Sequence, residues 1–581
     1  MGIFEVLEML GGLALFIFGM NFMGEALEKR GGGKLKQIIE NVTSSPLKGV
    51  LLGAGVTAII QSSSATTVMV VGFVNSGIMR LSQAISVIMG ANIGTTITSW
   101  ILSLSGLEGD NIFVQLLKPS SFTPVLALIG IIFLMFSKSS KKKDTASILL
   151  GFAVLMTGMD IMSGAVSGLK NNEAFTSILT WFSNPILGVV AGAVLTGIIQ
   201  SSSASVGILQ ALATTGQIRF SNALPIILGQ NIGTCVTALL SSIGTNKNAR
   251  RAAIAHLSFN IIGTTVFLIL FYALDFFINF TFMDDSINAA MIAVVHTVFN
   301  VFATALLFPF TKQLEKLSML IIRDDNTAED VSVLDDRLLN TPAVAVAQAK
   351  KLANEMALCA KDGLIGSLDL IFNYSDEKAR ELREMEEKAD KYEDMLGTYL
   401  VKLSSENLSS EDSHEVSNLL HCIGDFERIS DHSVNIVQSV EEIVSKKLEF
   451  SEDATKELTV VKGALTEILE ISYEAFVNEN LELAKNIEPL EQIIDKLKMK
   501  LRNNHILRLK QNRCTIETGF VYADLVTNFE RVADHCSNIG VCLLEVANGS
   551  FDTHEYLNNV KHFGGNDFSE KYDMYKSKYA I

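Results

Sequence analysis

Cationic side chains are scarce in the apolar stretches of the first 325 residues. That part has 19 Lys and Arg against 16 Asp and Glu, and most of these lie between the apolar stretches. An anion held there cannot rely on Lys or Arg. Proline is scarce as well, with only Pro342 and Pro489 after residue 325, so little in the second half interrupts long helices. The six cysteines form no CxxC pair, and five lie beyond residue 325. This argues for reduced thiols in a cytosolic compartment rather than a disulfide framework. No basic residue precedes Lys29, whereas Glu5 and Glu8 are present. A secretory signal would start with a basic segment, so the first apolar stretch is expected to be retained as a span. Beyond residue 325 the chain has 28 basic and 47 acidic residues, a balance that argues against nucleic-acid binding.

What is present begins with seven apolar stretches at about 4–24, 82–104, 121–137, 145–168, 222–243, 252–280 and 286–311. Each is close to the ~20 residues that cross a bilayer. Two further apolar segments, 46–79 and 185–218, are interrupted in the middle by the same run, Gln61-Ser-Ser-Ser-Ala65 and Gln200-Ser-Ser-Ser-Ala204. Their arms are too short to span comfortably and read as re-entrant hairpins, whose broken backbone must be buried in protein or line a cavity. Basic clusters at Lys29 to Lys36, Lys138 to Lys143, Lys247 to Arg251 and Lys312 to Arg323 alternate correctly if the N-terminus is outside. Arg219 is the exception.

The two runs belong to a longer repeat. Shifting by 139 residues places Gly12 on Gly151, Gly19 on Gly158, Pro46 on Pro185, Gly53 on Gly192 and Thr57 on Thr196. The same shift carries Asn92-Ile-Gly-Thr95 onto Asn231-Ile-Gly-Thr234. Three crossings precede the second copy, which inverts it relative to the first. Inverted repeats with paired broken segments point to a secondary transporter whose site lies at the repeat interface.

Past Pro342, charged and apolar residues alternate at helical spacing, as in a helical bundle. FERISDHSVNI from Phe426 matches FERVADHCSNI from Phe529, an offset of 103, which two three-helix units would explain. The expected fold is all-α: a polytopic membrane transporter with two inverted repeats, each holding a re-entrant hairpin, followed by a soluble helical domain. The expected boundaries are 1–140 and 141–325 for the membrane repeats and final spans, 326–340 for a linker, 341–550 for the helical domain and 551–581 for a polar tail.

Without membrane Lys or Arg, an anion can be held by hydroxyls and amides, by half-helix N-termini, or by co-bound cations on oxygen ligands. The two QSSSA runs supply these at a helix break. A lone membrane serine usually only back-bonds to a carbonyl, but two such runs at the repeat offset favour a site. Asn92 and Thr95, with Asn231 and Thr234, can ease a helix kink or hold a ligand. Asp160 falls where Asn21 stands in the first repeat, as a functional acid or a solvated helix end. His256 with Asn260, and His296 with Asn300, share helix faces and are expected to make interhelical hydrogen bonds. In the tail, Glu427 with Asp431 and Glu530 with Asp534 are each four apart. They could hold a metal through oxygen ligands or form a salt-bridged face with Arg428 and Arg531.

The duplicated QSSSA, the GANIGTT and GQNIGTC segments and the two His-x-x-Phe-Asn runs together resemble the type II sodium-phosphate cotransporter family over about residues 1–311. The ERISDH and ERVADH segments resemble PhoU, a helical protein linked to phosphate regulation whose acidic motifs bind metals. The combination is similar to bacterial Na/Pi-cotransporter family proteins with a C-terminal PhoU-like domain. The resemblance implies phosphate at Gln61, Ser62, Ser63, Ser64, Gln200, Ser201, Ser202 and Ser203. It also implies sodium around Ser64, Ala65, Thr66, Thr67, Asn92, Thr95, Ser203, Ala204, Ser205, Asn231 and Thr234. Where Thr66 and Thr67 follow the first run, Ser205 and Val206 follow the second, a departure that separates the two cation sites. A divalent or transition metal at Glu427, Asp431, Glu530 and Asp534 is implied for the tail.

The function expected is sodium-coupled transport of inorganic phosphate by alternating access, without covalent chemistry, in a multi-pass protein of the cell (inner) membrane with its C-terminal domain cytoplasmic. Two other readings stand beside it: a phosphate-sensing membrane regulator with little flux, and a sodium-coupled carrier of another small anion. Expected partners are inorganic phosphate, Na+, the lipid bilayer and, as an open case, a second copy in a homodimer. Nucleic acid is not among them.

Overall fold

The computed structural model describes all residues except 1–2, 42–44, 78, 107–114, 116–117, 168, 170–181, 183, 324–333 and 549–565. The described residues are helical, with one isolated β-bridge between Arg219 and Ser286 and no strand among them. They form two units, Met1–Val344 and Ala345–Ile581.

The first unit contains α1 (Ile3–Asn41), α2 (Pro46–Ile60), α3 (Ser63–Asn75), α4 (Leu81–Ser103), α5 (Pro119–Phe136) and α6 (Ser140–Val166). It continues with α7 (Pro185–Ile199), α8 (Ser202–Ala213), α9 (Phe220–Ser241), α10 (Lys247–Ile278), α11 (Ala289–Leu307) and α12 (Thr311–Ile321). Among the described residues, seven helical stretches are long and apolar enough to cross a membrane, at the seven places the hydropathy marks. The helices α2, α3, α7 and α8 are apolar but shorter.

Local sequence dictates where the short helices start and stop. Proline is well placed at the first helical position because its missing N–H has no partner there anyway. Pro46 and Pro185 occupy that position, behind caps from Ser45 and Asn184. Each helix ends on a glutamine in the left-handed conformation, Gln61 at φ 60° and Gln200 at φ 59°. The next residue, Ser62 or Ser201, is extended, and its hydroxyl accepts the N–H of Ala65 or Ala204 to cap the following helix. The chain folds back at this point. Thr57 donates to Thr66 across 3.0 Å, whereas nine residues of continuous helix would separate them by about 13 Å.

Glycines set the closeness of the packing. A Cβ on Gly53 would lie 1.9 Å from the Val87 carbonyl oxygen, and one on Gly90 would lie 1.9 Å from that of Val50, so α2 and α4 touch backbone to backbone. At the offset of 139, α7 and α9 repeat this through Gly192 and Gly229, with Cβ approaches of 2.1 and 2.0 Å. The helices α1 and α6 occupy equivalent repeat positions and pack on each other antiparallel. Gly12 faces Gly158 and Gly19 faces Gly151, so each member of an equivalent pair meets the mate of the other.

The C-terminal end of the first unit is anchored in that framework. Asp335 is buried, accepts from Asn75 Nδ2 at 2.7 Å and pairs with Arg337 at 3.1 Å. Arg337 also donates to the carbonyls of Ser241 at 2.6 Å and Ile243 at 2.9 Å, at and just past the end of α9. Asn75 accepts from the Asn246 backbone at 2.8 Å. Leu338 is fully buried beside Gly72. The second half of the expected 326–340 linker is therefore part of the membrane unit, and its first residues lie outside the described ones.

The second unit is a bundle of α13 (Pro342–Leu370, most of it in this unit), α14 (Asp376–Ser404), α15 (Ser410–Lys446), α16 (Glu452–Asn478), α17 (Ile487–Lys510) and α18 (Ile516–Asn548). The two FER segments lie on α15 and α18, which pack together and bring His432 and His535 to 5.8 Å between ring centroids. A buried ion pair crosses the bundle, Glu457 to Arg508 at 2.8 Å, with Tyr522 and Asn504 donating to the same carboxylate. The expected polar tail ends in α19 (Asn566–Lys578), which docks on α17 and buries Tyr575, while Lys578 pairs with Glu467. Aromatic residues spaced along it, Phe568, Tyr572, Tyr575 and Tyr579, supply a face that its average polarity conceals.

Candidate functional site: the cavity between the hairpin tips

The two QSSSA breaks meet at one cavity of about 260 Å³. It is lined by Gln61, Ser62, Ser63, Ser64 and Ala65 from the first tip and by Gln200, Ser201, Ser202 and Ser203 from the second. All eight residues expected to hold phosphate are thus brought together. Two helices, α3 and α8, begin at its wall. An α-helix leaves its first N–H groups without intrahelical partners and carries a partial positive charge at that end. The Ser62 and Ser201 oxygens serve as helix caps, so the N–H groups of Ser63, Ser64, Ser202 and Ser203 are the ones their helices leave free for an anion.

The two tips share a backbone but not an environment. Gln61 is buried, and its Oε1 accepts from Thr98 Oγ1 at 2.9 Å. Gln200 is exposed. Thr237, which the offset of 139 makes the counterpart of Thr98, has a buried hydroxyl with no hydrogen-bond partner. Sequence reasoning missed Thr98 as the group that orients Gln61. The same offset, extended three residues beyond NIGT, would have found it.

The residues expected around sodium are distributed differently. Ser64, Ala65 and Ser203 line the cavity, whereas Thr66, Thr67, Asn92, Thr95, Ala204, Ser205, Asn231 and Thr234 lie buried in the packing around it. Thr66, Thr67, Thr95 and Thr234 donate to carbonyls one turn back, at 2.8 to 3.1 Å, which leaves their oxygen lone pairs as acceptors. Asn92 donates to Asn260 at 3.3 Å, and Asn260 donates to Cys235, so Asn260 braces neighbouring helices as expected, whereas both ring nitrogens of His256 are buried without a hydrogen-bond partner. Asn300 bonds within its own helix, to His296 O at 2.9 Å. Asp160 is exposed on α6.

One wall was not foreseen. Asn21, Glu25 and Glu28 of α1 complete the cavity, and no Lys or Arg lines it among the described residues. Both acids come just after the apolar stretch 4–24, so the sequence alone places them at a span end.

In the second unit the acidic pairs lie where their spacing puts them, each on one helix face. Burial first, and then Asp431 beside it, pushes Glu427 above the usual carboxylate range. Glu386 and Glu393 on α14 are raised by burial and by the neighbouring acids Asp431 and Asp394, respectively. Asp534 is raised by burial and then by Glu530. Arg428 lies 3.4 Å from Glu427 and 3.3 Å from Asp431, and Lys498 pairs with Glu530 at 2.6 Å. Among the described residues no three metal-ligating side chains are gathered as a metal site. As placed, Glu427 and Asp431 both face Arg428, and Glu530 faces Lys498.

Comparison with known proteins gives the same division of the chain. The profile of the Na+/Pi-cotransporter family matches residues 15–164 and again 159–283, and the PhoU domain profile matches 353–440 and 461–542. YjbB of Escherichia coli, provisionally named an inorganic phosphate export protein, is 24% identical over 550 residues, 93% of this chain and 97% of its own. Sodium-dependent phosphate transport protein 2A of Rattus norvegicus is 39% identical over 98 residues, 16% of this chain and 15% of its own. Among solved structures, PhoU from Pseudomonas aeruginosa aligns at a TM-score of 0.31 and 15% identity, covering 36% of this chain and 98% of its own. This chain is therefore, through its membrane unit, a member of the Na+/Pi-cotransporter family, and it carries a PhoU domain behind that unit.

Proposed function

We propose that the protein moves inorganic phosphate across the cell membrane, coupled to sodium, by alternating access between two oppositely oriented repeats, with the PhoU domain regulating it from the cytoplasm. The observation that carries this reading is the convergence of two QSSSA tips on one cavity with no cationic side chain in its wall among the described residues. The eight tip residues would hold phosphate through hydroxyls, amides and helix N–H groups. A phosphate dianion there still lacks compensating charge. Burying it uncompensated is costly, and sodium on the hydroxyl and carbonyl oxygens around the tips would offset the deficit. Each ligand then raises the other's affinity by the same factor.

Opposite orientation of the repeats is supported by the antiparallel, reciprocal contact of α1 with α6. Alternation of the basic loops supports an outside N-terminus and a cytoplasmic PhoU domain. Neither reading needs a covalent step. Net direction is left to the gradients, and the relative named for export matches both units. Purified protein in proteoliposomes should take up labelled phosphate when a sodium gradient is imposed and should reverse with it. Flux indifferent to sodium would overturn the coupling, and complete competition by sulfate or carboxylates would overturn the substrate.

A further inference from the structure

The charge of the cavity wall makes a further assignment. Two carboxylates, Glu25 and Glu28, line it, and the hairpin tips opposite contribute no ionisable side chain. Nearby on the same helix, Arg30 donates to Thr145 of α6. The helix ends of α3 and α8 supply about half a positive charge each, less than the two glutamates alone would cancel. Phosphate adds to that deficit. A cation must therefore enter with it, and the structure marks where it is best placed. Glu25 is exposed, whereas Glu28 is half-buried, with Oε1 shielded from solvent and accepting no hydrogen bond. A carboxylate oxygen without a donor, in a cavity also lined by serines and Asn21, is suited to a small monovalent cation. The second repeat offers no counterpart, because the offset of 139 places Gly164 and Ser167 at these positions.

We infer that Glu28 binds one monovalent cation, Na+ or H+, that is carried with each phosphate, so that this side chain sets part of the coupling ratio. The inference rests on the phosphate-transport reading above and adds to it a residue outside the QSSSA and NIGT segments. It explains why an anion site contains an acid: the carboxylate repels phosphate until a cation neutralises it, which imposes an order on binding.

The test is the charge moved per phosphate, measured from reversal potentials of full-length protein in proteoliposomes under imposed sodium, proton and potassium gradients. Glu28→Gln keeps the size of the side chain and removes its charge. The expected result is phosphate flux with one fewer positive charge carried per phosphate, and restoration of the wild-type ratio in Glu28→Asp. A change confined to the sodium arm identifies Na+, and one confined to the pH arm identifies H+. A Glu28→Gln ratio equal to the wild-type value would overturn the assignment while leaving phosphate transport standing. Wild-type protein that moves no phosphate would remove the transport reading and this role with it. Should Glu28→Gln transport nothing, binding of ²²Na+ and labelled phosphate to the purified protein decides. Loss of one sodium equivalent, or loss of the pH dependence of phosphate binding, supports Glu28, and unchanged binding of both overturns it.

Discussion

Alanine substitutions at Gly53 and Gly55 should have opposite effects on stability although they lie two residues apart on one helix. At Gly53 the new Cβ would sit 1.9 Å from the Val87 oxygen and 2.9 Å from the Ala91 nitrogen, both backbone atoms of α4. No rotamer change relieves that contact. Restoring an ordinary 3.4 Å separation requires the two helices to part by roughly 1.5 Å, and overpacking of this kind costs about 1–3 kcal/mol, here at the upper end because both sides are backbone. At Gly55 nothing lies within 4 Å of the new Cβ. Replacing a helical glycine with alanine there gains about 0.5–1 kcal/mol of backbone entropy. The repeat has already made that exchange, since the counterpart of Gly55 is Val194, exposed on α7. The two variants should therefore differ by about 3–4 kcal/mol. Thermal unfolding of the purified protein in detergent would show Gly53→Ala melting below wild type and Gly55→Ala at or above it. The mirrored Gly192→Ala should behave like Gly53→Ala. If Gly53→Ala melts with wild type, the backbone contact between α2 and α4 is wrong.

Other outcomes follow from the same geometry. Gln61→Ala should cut phosphate flux at least ~10-fold, a loss of about 1.4 kcal/mol or more in the transport barrier, with unchanged membrane yield, and Thr98→Val should shift flux in the same direction by less; wild-type flux from Gln61→Ala would remove the tip from the site. Truncation after Val344 should leave a folded, phosphate-transporting membrane unit, whereas truncation before Asp335 should lower its melting temperature because Asn75 and the end of α9 lose their partners; equal stability of the two fragments would count against the anchor. Glu386, Glu393, Glu427 and Asp534 all lie above their ordinary values of 4.5 for Glu and 3.8 for Asp, so the folded PhoU domain binds protons more tightly than the unfolded chain. Its stability should consequently fall as pH rises from those values through the raised ones. Glu427→Gln should flatten that decline, and a melting temperature that climbs over the same window would refute the sign.

Much of the membrane unit was legible because its grammar is one of absences and repeats. Apolar length marks the seven spans, and glutamine followed by three serines interrupts two helices at positions an offset of 139 makes equivalent. What the offset could not convey is where the repeats differ. Gln61 is buried and held by Thr98 while Gln200 is exposed, a difference in tertiary environment between identical local sequences. The α1 wall escaped for a related reason. Glu25 and Glu28 stand near the basic Lys29 and Arg30, so in sequence they look like a solvated span end, and only packing shows them beside the tips. In the tail, helical periodicity revealed the bundle, but Phe568, Tyr572, Tyr575 and Tyr579 were hidden among charges, and α19 with them.

The anchor at Asp335 to Leu338 determines how force would travel through the molecule. The PhoU domain is tied to the membrane unit through residues that pass this point, and the chain is fastened there before it reaches 324–333. A pull on the chain there is borne first by Asn75, at the end of α3, and by the carbonyls at the end of α9. Those two helices begin, respectively, at the first tip and beside the second hairpin. The anchor thus fastens the chain that leads to the PhoU domain onto a helix that starts at the first tip and onto the end of one that follows the second hairpin.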